Sequence, residues 1–405
     1  MANYLELERI KKKHSGEVCI FGAGLIGRNE AYELLTLAGY KIDFFCDNNI
    51  PEGTHIRDDI YIKELQYLYD NKDKILVFLC VSPKYQKDLL TQLVNHGIED
   101  VIIVDRSYIS QILDSIEKAP NSIKEQYFSL YDDKEYLKSV FKRRMGYELN
   151  LDNPKTFNEK LQWLKLYDRK PEYISLVDKY EFKQYIKEIL GEEYIIPTIG
   201  VWDLVEEIDW DGLPDQFVIK CTHDSGSVMI CRDKKNFNIV NAKEKLCLFM
   251  KRMFFWSWRE WPYKAVKPRI IAEKYMQDAE NKELRDYKFY CFNGKPRFLY
   301  VSEGLENFET ARISYIKVEE GKWEFAPFRR TDFGEFKELP ERPNTYIQMV
   351  EIVEKLSKNY SFVRVDLYEI NGRIYVSEMT FTPGAGFTKI VPEEWDEILG
   401  SYIQL

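Results

Sequence analysis

FVRVDLYEINGRIYVSEMTFTPG, residues 362–384, sets the reading of the whole chain. Asn371-Gly372 sits between two runs in which apolar and polar residues alternate, which is the strongest short-range signal of a β-hairpin. Arg364 and Asp366 lie two apart and so share one face of the first strand, as do Glu378 and Thr380 on the second. Four polar groups on one inward face are costly unless something satisfies them. Two carboxylates suit Mg²⁺, which retains waters and takes a few carboxylates plus phosphate oxygens. Asp366 and Glu378 are therefore candidate metal ligands, with a solvated outer face as the rival reading.

Working back along the chain, FVIKCTHDSGSV (217–228) reads as a strand ending in Lys220, followed by a small-residue loop. Ser225, Gly226 and Ser227 would close over a polyphosphate through amides and hydroxyls, while Lys220 neutralises phosphate charge. A polar hairpin turn is the alternative. In DYKFYCFNGK (286–295), Lys288 alternates inward with Tyr290 and so points toward a γ-phosphate; a two-sided surface hairpin fits the NGK turn equally well. The aromatic run FFWSWREWPYK (254–264) reads as packing for the most part, with Glu260 and Tyr263 as site contributors, and FTPGAGF (381–387) as a loop beside an acceptor substrate.

These stretches, with NPKTFNEKLQWLKLYDR, LVDKYEFKQYI, PRIIAEKYM and RDYKFYCFNGKP, follow one another in an order that resembles the ATP-grasp superfamily, and within it the TupA-like family associated with teichuronopeptide and surface-polysaccharide biosynthesis. The resemblance covers nearly all of 151–390. It implies a ligase in which Lys179, in the DK position, joins Lys220 on ATP phosphates. It implies that Glu273, Lys274 and Tyr275 form the hinge that reads adenine, that Glu283 or Glu280 bonds the ribose, and that Asp366 and Glu378 hold Mg²⁺. Arg364, Lys288 and Lys220 would then be catalytic, stabilising the transferred phosphoryl group. The resemblance makes Thr380 the third position of the implied metal site; the superfamily commonly has asparagine there, whereas threonine offers only a hydroxyl.

The amino-terminal part has its own pattern. EVCIFG (17–22) is a short apolar strand running into GAGLIG, with Gly22, Gly24 and Gly27 placed for a tight turn and for a phosphate at a helix amino terminus. Asp47, about twenty residues beyond Gly27, has the spacing of a ribose-bonding carboxylate; a turn residue is the alternative. Further strands at KIDFFCDNN, KILVFLCVS and DVIIVD, with a helix from Lys84 to His96, make a small parallel sheet. This part resembles nucleotide-sugar-binding domains attached to bacterial sugar-modifying enzymes, which implies a UDP-sugar, or NAD, as ligand.

The expected organisation is α/β and α+β: a Rossmann-like domain over 1–112, a helical linker over 113–150 broken at Pro120-Asn121, and an ATP-grasp domain over 151–405. A chain of 405 residues exceeds a single core, and 45% hydrophobic, 15% aromatic and 31% charged residues describe a globular protein. A net charge of −9 argues against nucleic acid as a partner; the basic run KRRM (142–145) reads as a solvated helix face. The apolar run ILVFLCV (75–81) is strand-length, and no signal-peptide core follows the basic amino terminus, so a cytoplasmic protein is expected. The seven cysteines form no CxxC pair, which suggests neither disulfides nor zinc. Small-molecule partners are expected, and a homo-oligomer stays open. Two rivals to the ligase stand: a glycosyltransferase using the DWD of Asp209 and Asp211, and a non-catalytic nucleotide-sensing module.

Overall fold

The computed structural model describes residues 3–405 except 25, 58–59, 99, 118–122, 124, 126–128, 130–131, 279–283, 305–310 and 332. The chain divides into two compact units, 1–131 and 132–405. The expected linker 113–150 is thus shared between them. Arg106–Glu117 is a helix of the first unit, while Asp133–Met145 buries Tyr136, Leu137, Val140 and Phe141 in the second. The Pro120-Asn121 break lies outside the described residues. Among the described residues no helix is long and apolar enough to cross a membrane.

The first unit is a parallel sheet of four strands, β1 (Glu17–Phe21), β2 (Phe44–Cys46), β3 (Ile75–Leu79) and β4 (Val101–Ile103), in the order β2-β1-β3-β4. β3 is buried along its whole length, as strands covered on both faces are. Gly22 has φ +106°, and a Cβ on it would meet the Cys80 carbonyl oxygen at 2.7 Å; a Cβ on Gly27 would meet the Gly22 oxygen at 1.8 Å, whereas Gly24 faces open space.

Among the described residues the second unit is built on two antiparallel sheets, of four and of six strands, beside a two-stranded pair of Arg329–Arg330 and Ile390–Val391. The smaller comprises β5 (Thr198–Trp202), β6 (Phe217–Cys221), β7 (Met229–Cys231) and β8 (Ile270–Lys274), ordered β5-β8-β6-β7. The larger comprises β9 (Asp286–Phe292), β10 (Lys295–Glu303), β11 (Arg312–Lys317), β12 (Glu324–Phe325), β13 (Phe362–Ile370) and β14 (Arg373–Thr380), ordered β12-β11-β10-β9-β13-β14. One face of this sheet packs on the helix Tyr346–Ser357 through Tyr346, Met349, Val353 and Leu356. The other packs on the helix Phe157–Tyr167 through Phe157, Leu161 and Leu164.

The hairpin β13–β14 turns through Asn371 (φ +50°) and Gly372 (φ +71°), the left-handed pair of a type I′ turn. Its register contains a bulge: Asp366 pairs with Glu378, but Leu367 pairs with Val376, leaving Ser377 as the extra residue. The bulge reverses the alternation of β14. Ile374 and Val376 pack into the core together with Val363, Val365 and Leu367, and beyond the bulge it is Met379 that does so. Glu378 and Thr380 are thereby turned to the face of Arg364 and Asp366. Were Ser377 paired in regular alternation instead of bulged, they would share the face of Ile374 and Val376, inside the core.

Deleting Ser377 is expected to straighten β14 while keeping Glu378 opposite Asp366 and Val376 opposite Leu367, at a cost to the second unit of about 1 kcal/mol or less. Differential scanning calorimetry against the unaltered chain checks this; a loss of several kcal/mol would show that the bulge itself, and not only the parity it sets, is needed.

Candidate active site

The larger sheet carries the first half of the site. On one face of β13 the side chains run Phe362, Arg364, Asp366, and across the strand gap on β9 they run Phe292, Tyr290, Lys288. The face is therefore aromatic core at one end and charged at the other. Arg364 grips Asp366 with two parallel bonds, Nε to Oδ1 at 2.7 Å and Nη2 to Oδ2 at 2.6 Å, and reaches Glu378 Oε1 at 3.0 Å. Lys288 Nζ lies 3.4 Å from Asp366 and 3.2 Å from Asp286. Asp366 is 1% exposed; burial pushes its carboxyl up to about 6, although Arg364 and Lys288 pull the other way. Glu378 is only half-buried at its side chain. Burial would raise its pKa, yet Arg364, Lys179 and Lys288 hold it at about 2. The Thr380 hydroxyl donates to Glu378 Oε1 at 3.4 Å, so its contact orients that carboxylate.

The smaller sheet carries the second half. Lys220, at the end of β6, meets Glu273 of β8 at 2.6 Å, and Lys183 binds the other carboxylate oxygen. Burial would raise the Glu273 pKa, yet the two lysines hold it at about 2. The Glu273 carboxylate, expected at the adenine hinge, is thus engaged by two cations and buried; Lys274 is exposed and Tyr275 accepts from Arg232 Nε at 3.1 Å. Glu283 and Glu280 lie outside the described residues.

Asp178 caps the helix Glu181–Ile189 by accepting from the Tyr180 and Glu181 amides, and it is held by Arg269 at 2.9 Å. This fixes Lys179, whose amide donates to the Thr222 carbonyl and whose ammonium donates to the Asp224 carbonyl. Burial pushes the Lys179 pKa down; Glu378 opposes this and Lys220 reinforces it. Lys179 is thus within electrostatic reach of both Glu378 and Lys220.

In the loop, Ser225 and Gly226 are exposed, Gly226 has φ +86° and a Cβ there would meet nothing within 4 Å. Ser227, expected to face phosphate, is instead buried: its hydroxyl donates to Asp224 at 2.5 Å and accepts from the Cys221 amide at 2.9 Å. It holds the loop's shape. Thr222 Oγ1 and His223 Nδ1 are buried without a hydrogen-bond partner. Lys183 is not among the residues expected from sequence, although it stands four residues after Lys179, a same-face spacing on a helix. Neither is Asp224, buried to 1% and bridged to Arg252 at 3.4 Å.

In the first unit a cleft lies at the carboxyl ends of the strands, lined by Gly22, Gly24, Asp47, Ser82, Tyr85 and Arg106 among others. The Asp47 carboxylate accepts from the Ala23 amide at 2.9 Å and the Asn49 amide at 2.8 Å, so it ties the glycine loop to the end of β2.

The second unit thus carries two cation-clamped acids, Asp366 with Arg364 and Lys288 on one sheet and Glu273 with Lys183 and Lys220 on the other. The chain belongs to the TupA-like ATP-grasp family, whose pattern matches residues 159–404, more than half its length. It is an ATP-grasp ligase. No curated protein matches it. Similar solved structures include D-alanine–D-alanine ligase from Bacillus anthracis (13% identity, 91% of this chain and 87% of that one, TM-score 0.29). The ATP-grasp ligase PsnB complexed with a minimal precursor has 8% identity over 96% of this chain and 99% of that one, with a TM-score of 0.31. A structure of RSP in complex with β-NADH has 21% identity over 24% of this chain and 56% of that one, with a TM-score of 0.20.

The acids give opposite pH signatures. Glu273 has a folded pKa depressed to about 2 from an ordinary 4.5, so its contribution is present above pH 4.5 and is lost as pH falls toward 2. Asp366, raised to about 6 from 3.8, gains stability as pH falls through that interval. Glu273→Gln is expected to destabilise the second unit by about 3 kcal/mol at pH 7 and to flatten the acid limb below pH 4.5. Chemical denaturation as a function of pH reads both; an unaltered acid limb would remove Glu273 from this role.

Proposed function

We propose that the second unit joins a carboxylate to an amine at the expense of MgATP, through an acylphosphate. The observation that carries this reading is the single inward face on which Arg364, Asp366, Glu378 and Lys288 converge. The donor set fits Mg²⁺: two carboxylates share the face, and among the described residues no group of three or more His, Cys, Asp or Glu forms an all-protein cage. When bound, Mg²⁺ would neutralise charge on the β- and γ-phosphates from Asp366 and Glu378. Lys179 and Lys220 hold the phosphate end of the nucleotide, with the Ser225 and Gly226 amides open above it. Lys288 and Arg364 stabilise charge on the transferred group. In-line attack by the substrate carboxylate needs no side-chain nucleophile.

The carboxylate is proposed to belong to a sugar acid or nucleotide sugar of surface-polysaccharide assembly, which rests on the family resemblance, and the first-unit cleft to hold a UDP-sugar or NAD. Asp209 supports no transferase: it is exposed and accepts from the Gly212 amide at 3.1 Å, which closes a turn.

ADP release from MgATP across uronic acids, nucleotide sugars, amino acids and amines tests the reading. Lys220→Ala and Glu378→Gln are each expected to lower substrate-dependent release by about 100-fold or more. Full release by either protein would displace the site from these residues.

A further inference from the structure

Beside the hairpin a cavity of about 30 Å³ is lined by Lys165, Asp168, Tyr173, Glu260, Trp261, Phe381 and Thr382, among others, and Thr380, opposite Arg364, forms part of its wall. The space admits one or two water-sized groups. Its donors and acceptors are unequally satisfied. Lys165 is buried, and its ammonium has three acceptors: Gln162 Oε1 at 3.0 Å, the Trp258 carbonyl at 2.9 Å and the Ala385 carbonyl at 2.6 Å. An ammonium has three protons, so none remains for a ligand. Burial pushes the Lys165 pKa down to about 7 and the Glu260 pKa up, while the charge of each favours the charged form of the other. Glu260, 8% exposed, accepts from the Thr382 hydroxyl, and a carboxylate has room for about four bonds.

The walls are aromatic: Phe381 stacks on Tyr173 with centroids 4.0 Å apart, and Trp261 stands 6.4 Å from Tyr173. Such faces attract cations. The Trp261 indole N–H is buried without a partner, which leaves one donor for an oxygen on the same ligand. Asp168 adds a second carboxylate, held by the Tyr173 hydroxyl at 2.6 Å.

We propose that this cavity seats the primary ammonium group of the acceptor amine, with Glu260 as its counter-charge. That the amine is an acceptor rests on the ligase reading above; the ammonium site rests on the cavity. A head group held there lies against Thr380, next to the face where the carboxylate is activated, and the rest of the amine extends outward because the cavity has no room for it.

The test uses the full chain without nucleotide, so that its outcome is independent of ADP release. Binding of ethylammonium, acetate, ethanol and tetramethylammonium is measured by ligand-observed NMR at pH 7.5. Ethylammonium is expected to bind at millimolar concentration, with acetate and ethanol at least about tenfold weaker and Glu260→Gln binding ethylammonium about tenfold more weakly than the unaltered chain. Tetramethylammonium, which cannot donate, is expected to bind as weakly as ethanol. Absence of ethylammonium binding, equal retention of acetate, or equal ethylammonium binding by the Glu260→Gln protein overturns the proposal. Should that protein not fold, the comparison of the four probes on the unaltered chain decides alone. If ethylammonium binds as expected while no carboxylate and amine elicit ADP release, the ligase reading fails and the ammonium site stands.

Discussion

Two buried carboxylates organise the catalytic unit, each clamped between two cations. Asp366, on the larger sheet, lies between Arg364 and Lys288; Glu273, on the smaller, lies between Lys183 and Lys220. An acid taken out of water is tolerated only beside compensating charge, and removal of one partner leaves the other uncompensated. The arrangement is therefore a constraint on the fold as much as a feature of the site. The strands must stand in an order that brings Lys288 opposite Asp366 and Lys220 beside Glu273, although 78 and 53 residues separate them along the chain.

The second constraint is one residue. Ser377 shifts the register of β14 so that Glu378 and Thr380 leave the core-facing parity of Ile374 and Val376. A bulge next to a functional group commonly serves to re-aim a side chain. Here it lets one strand be apolar on one face near the turn and charged on the other near its end, with both faces buried against helices for much of their length.

Much of this was legible in the amino acids. The Asn371-Gly372 turn, the lysine at the end of FVIK and the glycine loop after EVCIFG each have a local cause, and local causes can be read from spacing. What could not be read is what a side chain meets. Alternation assigns Glu273 to a buried strand but does not say that Lys183 and Lys220 will reach it; Ser227 looks like its neighbours Ser225 and Gly226 until the Cys221 amide and Asp224 turn its hydroxyl inward. Asp47 has ribose spacing, yet the same spacing places it on the Ala23 amide. Simple alternation also places Glu378 beside Asp366 for the wrong reason, since it overlooks the bulge that makes the pairing possible.

The clamped acids also bear on what an anionic ligand would gain from the proposed site. A surface lysine loses rotamer freedom when it meets a phosphate, which offsets part of the attraction. Lys220, Lys288 and Arg364 have already lost it, because Glu273 and Asp366 hold them in place in the folded chain. The same carboxylates weaken the net positive potential that a ground-state phosphate meets, while leaving fixed dipoles aimed at the shared face. Donors fixed in advance act most strongly on charge that develops during the reaction, when water would have to reorient and they do not. On the proposed reading, a site built from shared cations would trade tightness of nucleotide binding for stabilisation of the transferred group, and the stability of the second unit and its chemistry would depend on the same two acids.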